Sequence, residues 1–121
     1  MTLNLPQHNQ CHRKESCAHY ASCPMVVVHK LISGKWKILI LWYLSNQTLR
    51  FSDLKKKLPD ITQKMLTNQL RSLEEDGLIS RTVYPIVPPK VEYALTDMGN
   101  QMLPLLEGMY EYGITYIQNT K

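Results

Sequence analysis

No stretch of the sequence approaches the roughly 20 consecutive apolar residues that a membrane-spanning helix needs, and the N-terminus lacks the charged-then-apolar pattern of a signal peptide. The expectation is a cytoplasmic protein with no membrane partner. Cysteine is scarce: Cys11, Cys17 and Cys23 are the only three, all in the first fifth of the chain, where they cannot staple the rest of a fold together. A disulfide scaffold is excluded. Five residues separate each cysteine from the next, wider than the typical C-x2-4-C spacing of a zinc site, although His8, His12 and His19 lie nearby. No metal is expected. Glycine is sparse, with five residues and no glycine-rich loop to cradle a phosphate, and no Asp or Asn is evidently placed to orient His19 or His29 as base for a cysteine nucleophile. Neither a cofactor nor catalysis is expected.

What is present suffices for one domain: 121 residues with 44% hydrophobic content bury an ordinary core. The net charge of +4 is unevenly spread. Residues 30–71 hold nine Lys or Arg against Asp53 and Asp60, a local +7, whereas residues 72–121 hold three basic and seven acidic residues, a local −4. A basic half joined to an acidic half fits a protein with one face toward a polyanion and another toward something else.

The densest signal runs from Asp60 to Gly77, DITQKMLTNQLRSLEEDG. Thr62 can accept a hydrogen bond from a first-turn N–H and Gly77 supplies a left-handed residue, which together predict a helix over 63–76. Leu66, Leu70 and Leu73 recur at the i, i+4, i+7 spacing, flanked by Ile61 and Leu78, so one face of that helix points at a core. The opposite face carries Gln63, Lys64, Thr67, Asn68 and Arg71, with no acid until the abrupt Glu74-Glu75-Asp76 tail. Amides and cations able to bond base edges, with a hydroxyl that also bears a methyl, make it a candidate DNA-reading face; an ordinary solvated face is the alternative.

Residues 1–22 lack sustained periodicity and are rich in His, Asn, Gln and Ser, which predicts a mobile N-terminal arm with a short turn near Glu15 to Tyr20. Residues 23–121 read as one domain. Pro24 opens a helix over about 24–32, apolar through Val27, Val28, Leu31 and Ile32 and stopped by Gly34. A second helix, 35–44, is apolar almost all round and is expected at the buried centre of the domain. After a polar turn comes the extended pair Leu49-Arg50, then a basic helix over about 53–58, capped by Ser52 and closed by Pro59. A four-residue connection leads from it into 63–76, which makes a helix-turn-helix. Residues 79–84 and 90–95 are strand-like on either side of Pro85, Pro88 and Pro89, giving a hairpin with a stiff tip, hence a wing. Thr96 is expected to cap a long helix starting near Asp97 and kinked at Pro104. Its Met102, Leu105, Leu106, Met109, Tyr110, Ile114 and Ile117 exceed what one small domain covers, and Gly108 and Gly113 leave room for a neighbouring helix. The fold class expected is mainly α with a small β-hairpin, a winged helix-turn-helix with flanking dimerisation helices.

Five blocks carry a family resemblance: Cys23-Pro24, GKW at 34–36, RFSDLKKKLPDITQKML at 50–66, LEEDGLI at 73–79 and RTVYPIVPPKVEYALTDMG at 81–99. Over about residues 23–113 the chain resembles the HxlR-type branch of the MarR-like winged-helix transcriptional regulators. The resemblance implies a homodimer on pseudo-palindromic double-stranded promoter DNA, with helix 63–76 in the major groove, hairpin 81–95 as wing and the terminal helices at the dimer interface. It further implies that Cys23, just before the proline, senses a small electrophile or oxidant. Cys11 and Cys17 match no family pattern.

Around the reading helix, Lys55, Lys56 and Lys57 are either an ordinary solvated run or phosphate contacts, with Arg50 a weaker phosphate candidate. Arg81 and Lys90 flank the wing tip and are candidates for a phosphate or a minor groove. At a helix N-terminus the thiolate of Cys23 is favoured by free N–H groups and the helix dipole; an inert packed thiol is the alternative. The function these readings favour is a DNA-binding regulator, a repressor by family habit. The alternative is a winged-helix module for protein partners without sequence-specific DNA binding.

Overall fold

The computed structural model describes residues 22–120. The N-terminal arm, with its turn, Cys11 and Cys17, lies outside the described residues apart from Ser22. The described residues fall into two units, 22–33 and 34–120. In the first, helix α1 spans Pro24–Ile32 with Cys23 at its N-cap and Pro24 at its first position, where a missing N–H costs nothing. Met25 and Val27 on it are exposed.

The second unit runs α2 (Lys37–Tyr43), β1 (Leu49–Arg50), α3 (Phe51–Lys57), α4 (Gln63–Glu75), β2 (Ile79–Tyr84), β3 (Lys90–Leu95), α5 (Asp97–Asn100) and α6 (Leu103–Asn119). The three strands form an antiparallel sheet in the order β1-β3-β2. Register sets Leu49 opposite Tyr93 and Arg50 opposite Glu92 on one side of β3. On the other side it sets Arg81 opposite Tyr93, Thr82 opposite Glu92 and Tyr84 opposite Lys90. Ile40, Leu41, Leu44, Leu54, Ile61, Leu66, Leu70, Leu73, Leu78, Ile79 and Leu106 are the fully buried side chains, so every helix longer than one turn in this unit feeds one core. The helix-turn-helix and the wing expected from the sequence are both present.

Three elements differ from expectation, each for a local reason. Helix α2 is shorter than 35–44 and buries one side only: Ile40 and Leu41 are enclosed, Ile38 and Trp42 are half-buried, and Leu39 is exposed. Seven residues turn only one face toward α3 and α4, and on the other the Trp42 ring stacks on Tyr110 of α6 with centroids 5.0 Å apart. Helix α3 begins at Phe51, not after Ser52. Asp53 reaches back to accept the Arg50 backbone N–H at 3.1 Å, and a carboxylate in the first turn suits the positive end of the helix better than a hydroxyl does. The connection to α4 is correspondingly 58–62, one residue longer than expected, pinned by the buried Leu58 and Ile61.

The third difference is the C-terminal helix, which is two helices. Thr96 does cap the first, accepting the Gly99 N–H at 3.1 Å, but α5 ends at Asn100 and the chain restarts at Leu103 with Pro104 in the first turn. Proline cannot donate to the Asn100 carbonyl and its ring crowds that oxygen, so continuity is broken instead of bent. Thr96 also donates to the Gly77 carbonyl oxygen at 2.6 Å, and its N–H to that of Leu78 at 3.0 Å, which ties the end of the wing to the end of α4. Gly99 lies buried beneath this junction, where an added Cβ would run into the Leu78 carbonyl oxygen. Gly99→Ala is expected to lower stability by about 1–3 kcal/mol, from the displacement needed to admit a methyl against backbone. A shift of the denaturation midpoint checks it; an unchanged midpoint would show that the junction yields freely.

Candidate nucleic-acid interface

Helix α4 is delimited as the sequence requires. Thr62 accepts the Met65 N–H at 3.0 Å, and Gly77 ends the turn with φ +79°. Leu66, Leu70 and Leu73 are enclosed and fix the roll of the helix about its axis. Gln63, Lys64, Asn68 and Arg71 are thereby turned to solvent and Thr67 lies half-buried at the edge. The exposed face of a 13-residue helix is about 20 Å long, long enough to lie in a major groove.

Beside that face the structure opens a cleft of about 340 Å³ between α4 and the sheet, lined by Phe51, Thr67, Leu70, Arg71, Glu74, Arg81 and Tyr93. Two arginines from different elements line it together with the Glu74 carboxylate, and among the described residues neither forms an ion pair. Phe51, Glu74 and Tyr93 were not among the sequence candidates. Alternation along β3 and the pairing of Arg81 with Tyr93 put these two side chains on one sheet face, but only the register reveals that.

Lys90 is on the other face. Its ammonium lies 3.1 Å from Glu92 Oε2 and 4.9 Å above the Tyr84 ring. The hydrogen bond from Lys90 holds the Glu92 carboxyl below its usual range, against the opposing effect of desolvation, with lesser help from the Tyr84 hydroxyl and the charges of Lys90 and Arg50. The two wing cations paired in the sequence reading are therefore separated: Arg81 joins the reading helix and Lys90 does not. On α3, Lys56 is exposed, Lys55 is half-buried, and Lys57 lies 5.5 Å from the Tyr43 ring centroid. Arg50 is exposed at the N-terminus of α3. Cys23 is 9% exposed. No helix among the described residues is long and apolar enough to cross a membrane.

Residues 31–121 match the family described as HxlR-like helix-turn-helix. The chain belongs to that family. This HxlR-like protein is a transcriptional regulator of the helix-turn-helix type, and its relatives agree. It is 41% identical over 116 residues, 96% of its own length and 88% of the relative's, to an uncharacterized HTH-type transcriptional regulator of Methanothermobacter thermautotrophicus. Among solved structures it is similar to the redox regulator HypR in its oxidized form, with TM-score 0.74 and 43% identity over 77% of this chain and 96% of that one. It is also similar to the reduced form of the transcriptional regulator YodB from Bacillus subtilis, with TM-score 0.71 and 29% identity over 82% of this chain and 98% of the other. The mainly helical winged fold is thus shared with MarR-like regulators of the HxlR-like family.

Proposed function

We propose that the protein is a repressor that binds a pseudo-palindromic operator as a homodimer, reads it with the outer face of α4 and releases it when Cys23 is oxidised or alkylated. The observation that carries the DNA reading is the convergence of Arg71 and Arg81 beside an outward face holding Gln63, Lys64, Thr67 and Asn68. A guanidinium and amides aimed outward suit base edges, and Lys55 and Lys56 on α3 flank them for phosphates. The homodimer is supported by α6, where Leu105, Met109, Tyr110, Ile114 and Ile117 are exposed in the single chain, with exposed apolar side chains on α1 as a second contribution. A two-fold axis would set the reading helices about 34 Å apart, one turn of duplex. No catalytic role is assigned.

Switching at Cys23 is supported by its place at the N-cap of α1 and by the likeness to HypR, whose name makes it a redox regulator. A modification that favours one dimer arrangement by about 3 kcal/mol changes operator occupancy on the order of a hundredfold. Capture of bound genomic DNA with and without diamide tests the whole reading: discrete sites should be recovered from untreated cells and lost on oxidation. In vitro, the parent should release a recovered site on diamide treatment and Cys23→Ser should retain it. Release by Cys23→Ser equal to the parent's would move the sensing role to another thiol.

A further inference from the structure

The outer face of the wing carries a charge arrangement that the reading of DNA does not use. Arg50 and Thr82 stand opposite Glu92 on its two sides, and Tyr84 stands opposite Lys90, so alternation gathers Arg50, Glu92, Lys90 and Tyr84 on the face turned away from the cleft. Lys90 and Glu92 side chains are 30% and 22% exposed, a setting in which an ion pair adds little to folding stability. What the pair does fix is the position of a cation: the ammonium is held both by the carboxylate at 3.1 Å and over the Tyr84 ring at 4.9 Å. An unrestrained lysine beside the tip of a wing would add a sequence-independent phosphate contact.

We propose that Glu92 is a positioning residue for DNA binding, which withholds Lys90 from the phosphate backbone so that the wing engages the duplex through Arg81 on the cleft side alone. This rests on the DNA-binding reading above. The search benefits, because affinity gained by an extra phosphate contact goes to every sequence equally: it leaves the ratio of specific to random binding unchanged and lengthens the time spent on random sites.

The test measures affinity for a random-sequence duplex of about three helical turns as a function of salt, for the parent, Glu92→Gln, Lys90→Met and the double variant. Glu92→Gln should steepen the dependence of log affinity on log salt by about 0.9 per subunit and tighten binding several-fold at low salt. Lys90→Met should leave the parent slope unchanged, and in the double variant it should cancel the gain. A change confined to folding would not move the slope in this paired manner. A flattening of the parent slope by Lys90→Met alone would show Lys90 already on a phosphate and would overturn the assignment, even if Glu92→Gln failed to fold. An unchanged slope in folded Glu92→Gln would overturn it as well, whereas absence of salt-dependent duplex binding by the parent would overturn this proposal and the DNA reading together.

Discussion

Arg71→Ala should weaken operator binding by about 1–3 kcal/mol per half-site, twice that for a symmetric dimer, and relax the preference at one base position. Arg71 is exposed on the outer side of α4 and lines the cleft it shares with Arg81, and no ion pair among the described residues holds it elsewhere. Asn68→Ala should act similarly, since the Asn68 amide projects from the same face. Lys56→Ala provides the contrast: an exposed ammonium on α3 contributes charge without sequence information, so its loss should lower affinity evenly across sequences and flatten the salt slope by about one per subunit. Titrating the three variants against operator and random duplex checks this. Uniform losses on both duplexes from Arg71→Ala and Asn68→Ala would show that the reading face is wrongly assigned.

Leu66→Ala should cost about 2–5 kcal/mol of folding stability, measured as the shift in denaturation midpoint. Leu66 has no exposed surface, so the truncation removes three carbons from the core and leaves a cavity that the surrounding elements cannot close without moving. Against a total stability typically of about 5–15 kcal/mol, that is a large share. Met65, next in sequence, is 40% exposed, and Met65→Ala should cost well under half as much. The pair reports on the roll of α4. Equal costs would mean that the leucine face does not set the roll, and with it the assignment of Lys64, Asn68 and Arg71 to the outside would fall.

Where local chemistry decides, the sequence was sufficient. Thr62 and Gly77 delimit α4 because a hydroxyl cap and a left-handed residue act on their own neighbours, and observed α4 ends one residue short of the expected 63–76. Both strands of the wing fall on the expected residues, since β-branched and aromatic runs on either side of prolines leave few other conformations. The excess of apolar residues on the last helix was legible too, and several of them are exposed in the single chain. What was not legible depended on relations between segments. The parity of Arg81 and Lys90 across the sheet follows from the pairing of β2 with β3, which composition does not encode. The interruption between α5 and α6 is masked in the sequence because the apolar pattern continues through it, while the backbone hydrogen bonding at Pro104 does not. Ser52 and Asp53 are both capping residues by type, and only the backbone geometry of Arg50 shows which of them acts. Glu74, read as the start of an acidic tail, turns out to line the cleft with both arginines.

The outer face of α4 is expected to read base sequence and to do more than supply positive charge. The most direct test is the ratio of the parent protein's affinities for a genomic site recovered by capture and for a random duplex of equal length, at one physiological salt concentration. A ratio of about 10³ or more is expected. A ratio near one, with binding to both duplexes equally sensitive to salt, would contradict it.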